Sequence, residues 1–76
     1  MIRLSKKSIA LTPREREVLL WLKCGRNTPE IATILQISGR TVKFHIGNII
    51  DKLGAENRLH ALAIAIEKDL LSKQIT

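Results

Sequence analysis

Apolar residues recur along this chain at helical spacing. Val18, Leu19 and Leu22 form one stripe, with Trp21 on its flank and Leu20 on its far side. Ile31, Ala32 and Leu35 form a second, and Val42, Ile46, Ile49 and Leu53 a third. The run "ALAIAI", Ala61 to Ile66, is apolar all the way round. Strand-like alternation is absent, and the β-branched residues fit the helical stripes. The pattern predicts an all-α fold of four helices joined by short turns.

The polar residues between the stripes set the helix boundaries. Thr12, Pro13 and Glu15 predict a start with a capping box and with proline at the first helical position. Gly25 predicts a left-handed stop. Thr28 followed by Pro29 reads as a second start of the same kind, for a short helix ending near Gln36, with Ile37 plugging the turn. Ser38 caps a third helix over about residues 39–53, and Gly54 closes it. Asn57 caps a fourth, from Arg58 to about Leu71. Residues 1–10, with Arg3, Lys6 and Lys7, show no helical pattern and read as a basic N-terminal arm or the end of a linker; residues 11–76 form the domain.

The third helix has an unusual outer face. In "ISGRTVKFHIGNIIDKLG" the side opposite the apolar stripe carries Arg40, Phe44, Gly47 and Asp51, with Lys43 and Asn48 at its edges. A short helix, a tight turn and a longer capped helix make a helix-turn-helix, whose second helix enters the major groove of double-stranded DNA. Ser38 and Thr41 offer hydroxyls to phosphates, and Arg40 and Lys43 bring charge. Phe44 suits thymine methyls or sugar edges. Gly47 costs a helix about 1 kcal/mol relative to Ala, which makes sense where something must approach the backbone closely.

Composition sharpens this picture. Thirteen Lys and Arg stand against seven Asp and Glu, for a net charge of +6, and Ile31 to Ile50 contains no acid at all. That balance favours an anionic partner. A 76-residue chain buries only about 60% of its unfolded surface, too little for an enclosed catalytic cavity. No carboxylate pair, nucleophile–base pair, metal cluster or phosphate loop is present, so neither an enzyme, a cofactor nor a metal site is expected. The lone Cys24 forms no internal disulfide; late in an apolar run, it is expected to be a small buried hydrophobe in a reducing, cytoplasmic setting. No apolar run approaches a membrane span.

From Leu11 to Leu71 the chain resembles the LuxR-type helix-turn-helix domain of bacterial transcription regulators. The resemblance rests on Leu11, Thr12, Arg14, Glu15, Glu17, Val18, Leu19, Gly25, Glu30, Ile31, Ala32, Leu35, Ile37 and Ser38. It continues through Thr41, Val42, Lys43, His45, Asn48, Ile49, Lys52, Leu53, Gly54, Asn57, Arg58 and Ala61, in order and without gaps. "FHIGNI" and Trp21 look most like the output domains of quorum-sensing receptors. The resemblance implies a four-helix domain binding a short inverted repeat as a homodimer. It implies phosphate contacts at Thr41 and His45, a phosphate or base contact at Lys43, base-facing positions at Phe44 and Gly47, and backbone contacts at Asn48 and Lys52. RNA polymerase or a full-length regulator are further partners in this frame. A chain this short has no room for a sensor domain, so it reads as an excised output domain or a single-domain regulator.

Three departures from the family pattern matter. Asn27, Thr28 and Pro29 stand where Ser or Thr, Asn, then Lys or Arg are usual, so a contact from helix two is left to Thr28. Gly47 has no side chain for base readout, leaving Lys43, Phe44 and DNA shape. His60 replaces a usual Glu and is expected to face solvent. His45 has the rival reading of a partly buried structural residue. In helix four one apolar face is left over after core packing, and the resemblance makes it the dimer contact, near Ala63, Ile64 and Glu67. A different class of function also fits that face: an interaction module that forms mixed dimers with another regulator.

Overall fold

The structure is a computed structural model that describes residues 11–71. Its helices are α1 (Pro13–Lys23), α2 (Thr28–Leu35), α3 (Gly39–Leu53) and α4 (Arg58–Glu67), with no strand among the described residues. The basic arm expected over residues 1–10 lies outside the described residues, as does the end of the chain from residue 72.

Local hydrogen bonds fix where each helix begins. The Thr12 hydroxyl accepts from the Glu15 N–H at 3.1 Å, while Glu15 Oε1 accepts from the Thr12 N–H at 2.9 Å. The second start differs from the expected one by a residue. Asn27, not Thr28, caps α2, so Thr28 and Pro29 are its first and second residues. The reason is reciprocal satisfaction. With Asn27 as the cap, Glu30 falls three residues on, and the two exchange bonds of 2.9 Å. A cap at Thr28 would put Ile31 there, and Ile31 has no acceptor to return.

The stops follow the same logic. Gly25 takes φ +90° and Gly54 φ +66°, as the left-handed closures of α1 and α3 require. α4 ends at Glu67, earlier than the expected Leu71. Asp69 turns left-handed at φ +56°, and the Leu70 N–H reaches back to the Ala65 carbonyl at 2.8 Å. A continued helix would place Leu71 one turn past the exposed Glu67. The reversal instead buries Leu71, leaving it only 6% exposed and its apolar surface out of water.

α3 packs against each of the other three helices. Its Val42, Ile46 and Ile49 are buried, as are Val18 and Leu19 of α1 and Ile31 of α2. Leu22, Ala32, Leu35, Ile37 and Leu53 pack around them, half-buried. α4 meets this core through Ala61 and Ala65, whose single methyl groups let two helix backbones approach closely.

Among the described residues one charged group lies inside. Glu15 is 3% exposed. Besides closing the α1 cap, its Oε1 accepts from Lys52 Nζ in the last turn of α3 at 2.8 Å. Burial pushes the Glu15 carboxyl up, but the bonds from Lys52 and Thr12 outweigh it and hold the group below its ordinary value of 4.5. Such a group stabilises the fold above its unfolded pKa and loses that contribution as pH falls through the folded value. Stability should therefore drop below about pH 4.5, and Glu15→Gln should lose that part of the acid dependence. Lys52→Ala, which strands a buried carboxylate, should destabilise by about 1–3 kcal/mol near neutral pH. Thermal denaturation across that pH range measures both.

Candidate nucleic-acid interface

The outward side of α3 is held in place by the buried residues beneath it. Val42, Ile46 and Ile49 anchor one side, which turns Arg40, Lys43, Phe44 and Gly47 to the exterior. Thr41, His45 and Asn48 sit half-buried along the margins. The expected contact residues of α3 upstream of Lys52 therefore share one continuous surface.

At the start of that surface Ser38 Oγ accepts from the Thr41 N–H at 3.1 Å and lies 2.9 Å from Thr41 Oγ1. Two hydroxyls joined in this way share one proton between them and keep the other for an outside acceptor. Arg40 and Lys43 are exposed, and no described carboxylate pairs with either. Phe44 is 63% exposed, and its ring meets that of His45 edge-on at 5.9 Å. Gly47 is exposed, and a Cβ built on it would meet nothing within 4 Å. Among the described residues nothing demands a glycine there.

α2 contributes the other bank. Thr28, freed from capping, lies beside the first residue of α3, its Cγ2 4.0 Å from where a Cβ on Gly39 would stand. Thr28, Pro29, Ala32, Gly39, Arg40 and Lys43 line an open groove between the two helix starts.

Other expected sites stand differently. Lys52 stands one turn beyond Asn48 on the same flank of α3; its ammonium is bound to Glu15 at 2.8 Å, and its side chain stays 33% exposed. Cys24 is exposed, not buried. It follows the last residue of α1, off the face that carries Val18, Leu19 and Leu22. His60 is exposed as expected and has a further task, its Nδ1 accepting the Glu56 N–H at 3.0 Å at the start of α4. On α4, Ala63 and Glu67 point outward and Ile64 is half-buried. The larger apolar groups on the outside are Leu59, 72% exposed, and Ile66, 51% exposed. Leu59, Ala63 and Ile66 follow one another at i, i+4 and i+7, so helical spacing could have marked them as one face. Among the described residues no group of His, Cys, Asp and Glu could hold a metal ion, and no helix is long and apolar enough to cross a membrane.

A helix-turn-helix with a cationic, partly apolar second helix defines a class, and comparison with known proteins places the chain within it. Residues 9–65 match the model of the bacterial regulatory proteins, luxR family. The chain is 48% identical over 61 residues to the transcriptional activator protein YukR of Yersinia ruckeri, covering 80% of this chain and 27% of that one. It is 50% identical over 58 residues to the transcriptional activator protein ExpR of Pectobacterium parmentieri, covering 76% and 24%. Among solved structures, the transcription factor GerE superposes with a TM-score of 0.75 at 39% identity, over 78% of this chain and 88% of that one. The phage VqmA–DPO complex gives 0.78 at 38% identity, over 84% and 29%. The chain belongs to the luxR family of bacterial regulatory proteins and carries its DNA-binding helix-turn-helix domain. It spans about a quarter of the length of the relatives named. The family is one of transcription regulators, not a class of enzymes.

The open space at Gly47 yields a test of the free protein. Gly47→Ala should raise stability by up to about 1 kcal/mol, the helix-propensity difference, because the added methyl meets no neighbour. Chemical denaturation of the two proteins measures the difference.

Proposed function

We propose that this chain binds double-stranded DNA sequence-specifically in the bacterial cytoplasm, with α3 in the major groove and two copies joined through α4 over an inverted repeat. The observation that carries the reading is the outer face of α3. It presents unpaired cations at Arg40 and Lys43, an exposed aromatic at Phe44, and a bare backbone at Gly47 that no internal contact explains. Arg40, Thr41, Lys43 and His45 serve the phosphates, with Ser38 and Asn48 at the margins and Thr28 on the α2 bank. Phe44 and Gly47 face the bases. Lys52, whose ammonium also bonds Glu15, reaches the DNA backbone from the end of the same flank. Phosphate neutralisation supplies most of the affinity, and base edges and groove shape supply the choice of site.

Selection of bound duplexes from a random pool tests the reading and yields the half-site. On a selected duplex, Lys43→Ala should weaken binding by about 1–2 kcal/mol and lower the salt slope by about one unit per subunit. Affinity and slope both unchanged would sink the assignment. Gly47→Ala should weaken binding while it stabilises the fold, a combination that a merely structural glycine would not give.

The exposed Leu59 and Ile66 support the dimer half of the reading, with Ala63, Ile64 and Glu67 beside them. Ile66→Glu should shift the protein toward monomer in sedimentation experiments. The same face supports a second reading, in which the chain forms mixed dimers with a full-length regulator. Tight binding to such a partner, together with no selectable duplex, would favour it. RNA polymerase is a further partner within the first reading.

A further inference from the structure

We infer that Arg58, which opens α4 and lies outside the helix-turn-helix, is a DNA-phosphate ligand that acts jointly with Thr28. The inference rests on the DNA-binding reading above and adds a contact from an element which that reading assigns only to dimerisation.

Arg58 Nη1 donates to Thr28 Oγ1 at 3.1 Å, a bond that joins residues thirty apart in sequence. Thr28 stands at the edge of the groove between α2 and α3, so this bond sets the Arg58 guanidinium beside the bank that Arg40 and Lys43 occupy. Arg58 is exposed, and no described carboxylate pairs with it. The one acid of α2, Glu30, has its carboxylate turned back onto the Asn27 N–H. Three cations from two helices thus gather around one groove with no internal counter-ion.

The hydrogen-bond inventory points the same way. A guanidinium has five N–H donors, and Arg58 gives one to Thr28. The Thr28 oxygen accepts that bond, which leaves its hydroxyl proton to donate outward. Two neighbouring donors, one fully charged, then face the same exterior position. A phosphate oxygen satisfies both, and the planar fork of arginine suits it better than an ammonium does. In the free protein Arg58 only holds Thr28. On a duplex it would bind the backbone directly.

The test uses a duplex selected by the wild-type chain, with affinity followed against salt by fluorescence anisotropy. Arg58→Ala should weaken binding roughly five- to tenfold and lower the salt slope by about one unit per bound subunit. Arg58→Lys should keep the slope, and Thr28→Val should lose affinity without changing it, since no charge is removed. A reduced slope in Lys43→Ala with an unchanged slope in Arg58→Ala overturns this inference and spares the DNA-binding reading. Unchanged slopes in both overturn that reading itself. Should Arg58→Ala fold poorly, Arg58→Gln on duplexes carrying single neutral methylphosphonate linkages decides the matter. One linkage should weaken the wild type and leave Arg58→Gln unaffected, and a linkage that weakens both equally at every position overturns the inference.

Discussion

A carboxylate oxygen shared between the start of one helix and the end of another organises this domain. Glu15 Oε1 closes the α1 cap and accepts the Lys52 ammonium of α3 from inside the protein. An isolated charge in that place would be strongly unfavourable, so neither partner is free to leave. The pair ties the end of α3 to the start of α1, and α3 is the helix that carries the exposed Arg40 and Lys43. The placement of the exposed face of α3 therefore depends on an ion pair made from the flank of the same helix.

The remaining frame is built from local closures. α1 and α2 begin with reciprocal capping boxes, and α3 and α4 with a single side-chain cap each. With the helix ends satisfied by their own neighbours, a thin core is enough to hold them together. The surface of α3 is then left for contacts that the free molecule does not make. Arg40, Lys43, Phe44 and Gly47 are exposed, and no described carboxylate pairs with either cation.

Periodicity and cap chemistry carried most of the architecture. The stripes at Val18 and Leu19, at Ile31, and at Val42, Ile46 and Ile49 are those that pack inward. What the linear pattern missed has identifiable causes. The α2 start shifted to Asn27 because a capping box needs its second member, and Glu30 is in register with Asn27 alone. The bond between Lys52 and Glu15 is not legible in the linear pattern, because its partners are 37 residues apart and meet only once the helices are packed. The bond from Arg58 to Thr28 is hidden for the same reason, since it spans two helices. In α4 an all-apolar run gives no phase, so which side turns inward was decided by the fit of small side chains against α3. Cys24 was misplaced because an apolar neighbourhood in sequence is not a buried face.

The two alanines beneath α4 separate two kinds of selection. Ala61 and Ala65 seat the helix with a methyl group apiece, so the inner register is satisfied by the smallest chiral residues available and tolerates little enlargement. The outward positions Leu59, Ala63 and Ile66 take no part in that seating. Their identities can drift, enlarge or change sign with no need to repack the interior. Under the proposed pairing through α4, a lineage of such domains can exchange mating specificities, and keep paralogous copies from cross-pairing, with the interior unchanged.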